Sequence, residues 1–125
     1  MNELLYKEEA YSIIGAAMEV HNELGHGFLE AVYHEAMEKE LMIRKIPFES
    51  GKEFSVYYKS ELLKKKYFAD MVCYNKIILE FKAADSLCDD YYAQVLNYLK
   101  CSKFKLGLLI NFGAKSLEYK RVIWD

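Results

Sequence analysis

Residues 70–82 read DMVCYNKIILEFK, and most of the stretch is apolar or β-branched, as strands buried in a sheet require. Asp70, Glu80 and Lys82 break that texture. Asn75 suits a turn, so the stretch reads as two antiparallel strands joined there. If Asn75 is the middle of a three-residue loop, Asp70 lies directly opposite Glu80. Lys82 then shares the face of Glu80, because side chains alternate along a strand. A two-residue loop would slip the register by one and send the two carboxylates to opposite faces. The three-residue loop is preferred because it groups three functional side chains; alternation alone permits either.

Two facing carboxylates repel each other. A divalent cation between them removes the repulsion, and hard oxygen donors suit Mg²⁺ or Mn²⁺. Lys82 beside such an ion is placed to orient a water and to stabilise charge on a phosphate. The plainer reading of the same residues is a hairpin with a polar face and a surface Glu–Lys pair.

Outward from this stretch, residues 48–83 are rich in β-branched and aromatic residues and read as three antiparallel strands, with turns near Lys59–Glu61 and around Asn75. Before them, Ile13, Ile14, Ala17, Val20 and Leu24 recur at helical spacing, predicting a helix over about Leu5 to Leu24. Gly25 and Gly27 stop it. A second helix is expected from near Phe28, with Leu29, Val32, Tyr33, Ala36, Met37 and Leu41 on one face, ending before Pro47. A third is expected from about Ser86 to Cys101, with Leu87, Tyr91, Val95, Tyr98 and Leu99 inward. Strands near Leu106–Asn111 and Tyr119–Trp124 finish the chain. The order is ααβββαββ, an α+β fold in which helices cover a sheet.

The 125 residues suit one domain, and no repeat, linker or low-complexity tract divides them. With 53% hydrophobic residues, 11 Tyr and 7 Phe, the chain can fill a core and disorder is excluded. No stretch approaches the roughly 20 apolar residues of a membrane span. Met1 to Glu9 lacks the basic-then-apolar layout of a signal peptide. Cys73, Cys88 and Cys101 match neither a zinc motif nor a disulfide framework, so three reduced thiols in a cytoplasmic protein are expected. Net charge is −2, which gives no global pull toward nucleic acid. Its distribution is uneven, with 5 basic and 11 acidic side chains in residues 1–58 against 12 and 8 in residues 59–125. A polyanion would meet the second part.

Two further residues stand out. Glu30 sits in the first turn of the second helix, where a negative charge is also favoured by the helix dipole. Gln94 shares the inward stripe of the third helix, where an amide must find partners. GFLEAVY at 27–33 resembles the motif that names the GxxExxY proteins, through Gly27, Glu30 and Tyr33. Asp70, EFK at 80–82, QVLNYL at 94–99 and GLLINFG at 107–113 are similar to that family in the expected order, over nearly the whole chain.

The resemblance implies a single nuclease-like domain over residues 1–125, with the αβββαβ core of the PD-(D/E)XK superfamily and a mixed sheet like that of restriction endonucleases. It implies Asp70 and Glu80 as metal-binding carboxylates, Lys82 as the catalytic lysine, Glu30 as the helix acid completing the metal site, and Gln94 as a motif residue followed one turn later by Tyr98. Ala69 stands where the superfamily's name has proline. The activity implied is Mg²⁺- or Mn²⁺-dependent hydrolysis of phosphodiester bonds, in DNA first and RNA second. The alternative is a non-catalytic or partner-dependent binding module that keeps the fold, as a homodimer or with a partner protein.

Among the remaining candidates, His21, His26 and His34 do not share a face at metal-ligand spacing, and His26, in the glycine loop beside Glu30, is a minor candidate for approach to the site. Lys59 and Lys64–Lys66 are candidates for phosphate contact or for protection of an edge strand. Tyr91, Tyr92 and Tyr98 are candidates for base stacking or core.

Overall fold

The chain builds three helices and five strands on one sheet: α1 (Lys7–Leu24), α2 (Glu30–Ile43), β1 (Phe48–Tyr58), β2 (Glu61–Cys73), β3 (Ile77–Lys82), α3 (Asp89–Ser102), β4 (Leu106–Asn111) and β5 (Glu118–Ile123). The structure is a computed structural model and describes residues 5–125; the first four residues of the expected 1–125 domain lie outside the described residues. The expected order, ααβββαββ, is the observed one. Spatial order in the sheet follows the sequence, β1-β2-β3-β4-β5. All neighbours are antiparallel except β3 and β4, which are parallel and joined by α3 as the crossover. The sheet is therefore mixed.

β3 and β4 lie at its centre and are buried almost throughout, which explains their unbroken apolar runs. Helices α1 and α2 cover one face, packing Ile13, Ala17, Tyr33 and Met37 on Leu79 and Phe81. On the other face α3 packs Val95, Tyr98 and Leu99 against Val72, Ile78 and Leu109.

Tertiary contacts shift several expected boundaries. Helix α1 closes at Gly25 (φ 68°), whose N–H donates to the His21 carbonyl at 2.8 Å. Helix α2 starts at Glu30, later than expected, because the Tyr33 hydroxyl ties down the preceding loop. It donates to the Gly25 carbonyl at 2.6 Å and accepts from the Phe28 N–H at 3.2 Å. Helix α3 starts at Asp89 instead of Ser86, since the Leu87 N–H is held by Glu118 Oε1 at 3.2 Å. It ends at Ser102, one residue beyond the expected Cys101, and is capped by Lys103 in the left-handed conformation. Strand β5 begins one residue earlier than expected, where Glu118 pairs with Asn111.

The β2–β3 ladder pairs Cys73 with Ile77 and Met71 with Leu79, which is the register of a three-residue loop centred on Asn75. Beyond Met71, β2 runs on with β1 alone, from Lys52↔Ala69 to Tyr58↔Glu61. Residues 52–69 thus form a two-stranded hairpin extending past the β2–β3 ladder. No described helix is long and apolar enough to cross a membrane. The three cysteines are free thiols.

Candidate active site

The next pair in the β2–β3 register would be Asp70 and Glu80, and there the backbone ladder gives way. The Asp70 N–H donates to Glu80 Oε2 at 2.7 Å, and the Phe81 N–H donates to Asp70 Oδ2 at 2.8 Å. Each carboxylate thereby caps an N–H of the opposite strand, and the strands fork. On the other side of β2, Gly51 falls between the pairs Ser50↔Met71 and Lys52↔Ala69, opposite Asp70, with φ 63°. Ala69 packs with the α3 cluster and Met71 with the α1–α2 cluster. Strict alternation would put both on one face. Asp70 therefore sits where the β1–β2 ribbon changes face, and glycine at 51 accommodates the left-handed backbone this needs.

Lys82 lies two residues beyond Glu80. Its ammonium donates to Gln94 Oε1 on α3 at 3.0 Å and stands 4.6 Å from the centre of the Tyr91 ring. Gln94 Nε2 donates in turn to the Tyr98 hydroxyl at 3.4 Å. Gln94 thus reaches Lys82 on the sheet and Tyr98 one turn on along its own helix. The loop between β3 and α3 is anchored by Asn111, the one polar residue buried at the end of β4. Its Oδ1 accepts from the Ala84 and Gly113 N–H groups, and its Nδ2 donates to the Ala84 carbonyl and Glu118 Oε1.

Glu30 enters from the other layer as the first residue of α2. The loop that delivers it is held by Tyr33, fully buried and stacked on Phe112 with ring centres 4.8 Å apart.

Electrostatics tie these groups together. Glu80 is 3% exposed, and its pKa is pushed up to about 8. Burial is the main cause and the charge of Asp70 the next, with Glu30 adding; the Asp70 N–H and Lys82 pull the other way without prevailing. Burial, then the charges of Glu80 and Asp70, push the Tyr98 hydroxyl up to about 12. Glu30 is itself exposed, yet protein around its carboxyl and the charge of Asp70 raise its pKa, against Lys82 and His34. Three carboxyl groups thus share one lysine in a partly desolvated fork.

Asp70, Glu80, Lys82, Gln94 and Glu30 therefore come together, drawn from the four elements α2, β2, β3 and α3. The histidine whose charge reaches Glu30 is His34 instead of His26. His34 lies edge-on to Phe81 and its Nε2 is 3.2 Å from Ser50 Oγ, which donates to Glu38 Oε2 at 2.6 Å. His34 is one helical turn after Glu30, so the i, i+4 spacing was a signal in the sequence. His26 is exposed in the preceding turn. His21 is buried elsewhere, 2.9 Å from the Ala114 carbonyl. Tyr98 is core, Tyr91 carries Lys82, and Lys120 lies over the Tyr92 ring at 5.8 Å. Lys64–Lys66 lie on the projecting hairpin.

Comparison with known proteins accords with this geometry. The family model described as the PD-(D/E)XK nuclease superfamily matches residues 7–122. A solved protein designated SSO0001, known from its crystal structure, is similar in fold with a TM-score of 0.62 at 20% identity. The match covers 75% of this chain and 50% of that one, so the chain spans about half the length of that protein. No curated protein matches the chain.

Proposed function

The chain belongs to the PD-(D/E)XK nuclease superfamily, and from that membership we propose that it is a Mg²⁺- or Mn²⁺-dependent phosphodiesterase acting on DNA, with RNA as the second substrate. The observation that carries the reading is the fork itself, where Asp70 and Glu80 cap each other's strands beside Lys82.

The donor chemistry fits a hard divalent cation. Asp70, Glu80 and Glu30 bring oxygen ligands only, and they bring more negative charge than Lys82 offsets. Burial first, and then the charge of Asp70, raise the pKa of Glu80. Among the described residues no three His, Cys, Asp or Glu side chains already stand in a ligating arrangement. Asp70 and Glu80 each commit one oxygen to a backbone N–H. A bound Mg²⁺ or Mn²⁺ supplies Lewis acidity, which acidifies water and neutralises charge on phosphate.

The chain's own residues do the rest. Asp70, Glu80 and Glu30 hold the ion. The Lys82 ammonium, aimed by Gln94 and steadied by the Tyr91 ring, orients the attacking water and stabilises negative charge on the phosphate oxygens. Gln94 is a positioning residue that acts through Lys82.

The test incubates purified protein with single- and double-stranded DNA and RNA, in Mg²⁺, Mn²⁺ or EDTA. Cleavage in metal that disappears in EDTA, and falls by about 10²–10³ in Lys82→Ala, is the expected result. Cleavage that survives both changes comes from a contaminant and removes the enzyme reading. The second reading, a partner-dependent module, draws on the negative net charge of the chain. It is favoured if no substrate is cut while metal still raises the melting temperature.

A further inference from the structure

The hairpin of residues 52–69 has a role in no step described so far. Between Tyr57 and Phe68 it carries four lysines, Lys59, Lys64, Lys65 and Lys66, against the single acid Glu61, in a chain whose net charge is −2. It also exposes large rings: Tyr57 is 64% exposed, Tyr58 62% and Phe68 57%.

The register sorts these groups by face. Tyr67 packs edge-on against Tyr98, with ring centres 5.5 Å apart, so the odd-numbered residues of this part of β2 point to α3. Leu62, Lys64, Lys66 and Phe68 alternate onto the other face, joined by Tyr57, the cross-strand partner of Leu62. Lys66 reaches Glu53 at 3.0 Å on that face, an exposed pair that holds little energy. The result is a strip in which Lys64 and Lys66 lie between two exposed aromatic rings, Tyr57 and Phe68. Phe68 ends that strip two residues before Asp70, so it leads into the fork.

We propose that this face of the β1–β2 hairpin is a binding platform for single-stranded nucleic acid, which it leads into the Asp70–Glu80 fork. The inference rests on the phosphodiesterase reading for the fate of the strand, and on the hairpin's own composition for its capture. Lysines spaced along a strand meet phosphates without regard to sequence. Exposed rings on either side of them stack on bases, which is possible only where the bases are unpaired. A hairpin that served only to protect open edges would need the charges and not the rings.

The test measures binding of a fluorescent oligothymidylate, and of a duplex of the same length, in EDTA so that nothing is cut. Three proteins are compared: wild type, the double variant Lys64→Ser/Lys66→Ser, and Phe68→Ser. Melting curves establish that each is folded. Wild type is expected to bind the single strand more tightly than the duplex. The double variant should bind at least about tenfold more weakly, and its salt slope should fall by about 1.4, because each of two phosphate contacts on a single strand contributes about 0.7. Phe68→Ser should weaken the single strand by about tenfold and the duplex little.

Binding by the folded variants equal to wild type overturns the inference, as does a preference for duplex or no binding by wild type. If the variants turn a wild-type dimer into a monomer without changing binding, the platform belongs to a second copy of the chain and the inference also falls. Cleavage in Mg²⁺ with hairpin-independent binding removes this inference alone. Hairpin-dependent binding with no cleavage removes the phosphodiesterase reading alone.

Discussion

At the scale of single residues, Glu80 sets the balance between stability and the chemistry proposed for the fork. Its pKa is 4.5 in the unfolded chain and about 8 in the folded one. Between those values the folded protein holds a proton that the unfolded chain releases, so stability from this group is full below pH 4.5 and is lost as pH rises toward 8. The expected slope in metal-free protein is a loss of about 1 kcal/mol per pH unit across that window. Glu80→Gln cannot titrate and still offers an oxygen to the Asp70 N–H. It should flatten this slope, so its advantage over metal-free wild type should grow by about 1 kcal/mol for each pH unit above 4.5. Urea melts in EDTA at about pH 5 and about pH 8 measure both effects. A large loss of stability in the variant at every pH would mean that the Glu80 carboxylate is a structural partner of Lys82, and the hairpin with a polar face would be the better description.

At the scale of elements, the position of α3 decides where Gln94 meets Lys82, and the end of β4 decides the position of α3. The buried Asn111 side chain bonds the 83–88 loop to β4, while Gly113 lies against the backbone of Ala84 with no room for a methyl group. Gly113→Ala would force those two segments apart. The expected cost is more than about 2 kcal/mol, because backbone cannot yield as a flexible side chain does. Chemical denaturation of the variant measures it. A midpoint unchanged from wild type would show that the loop can move aside, and the anchoring role given to this contact would fail. The motif residues at 107–113 are thus accounted for by packing: Gly107 likewise leaves space that a methyl group would contest with Val95 of α3.

At the scale of the whole molecule, one ion would join elements from both sides of the sheet, since Glu30 comes from the α1–α2 layer and Asp70 and Glu80 from the fork. An ion that binds only the folded state stabilises it by mass action, by about 2.7 kcal/mol at 100 times the dissociation constant. Mg²⁺ or Mn²⁺ should therefore raise the melting temperature of wild type, and Glu80→Gln should lose most of that gain. Because protons compete with the ion for Glu80, the gain should also grow as pH rises toward 8. Thermal melts with metal and with EDTA test this. An equal gain in wild type and variant would place the ion elsewhere.

Much of this protein is legible in its sequence because the relevant signals are local. Turn chemistry at Asn75 marks the β2–β3 hairpin, and the grouping of Asp70, Glu80 and Lys82 favours the three-residue register that alternation leaves open, while helical spacing and glycine stops mark α1, α2 and α3. The mixed sheet followed only from the family resemblance, since periodicity does not state strand direction. Tertiary structure alone decided the rest. The fork opens because carboxylates replace backbone partners across two strands, and the change of face at Gly51 and Asp70 depends on pairing between distant segments. Tyr33, Asn111 and Glu118 move helix starts by holding loop N–H and C=O groups that local propensity would have left to the helices. The raised pKa of Glu80 and the reach of Gln94 to Lys82 come from side chains on different elements. Such contacts form only when loops close, and no pattern within one segment encodes them.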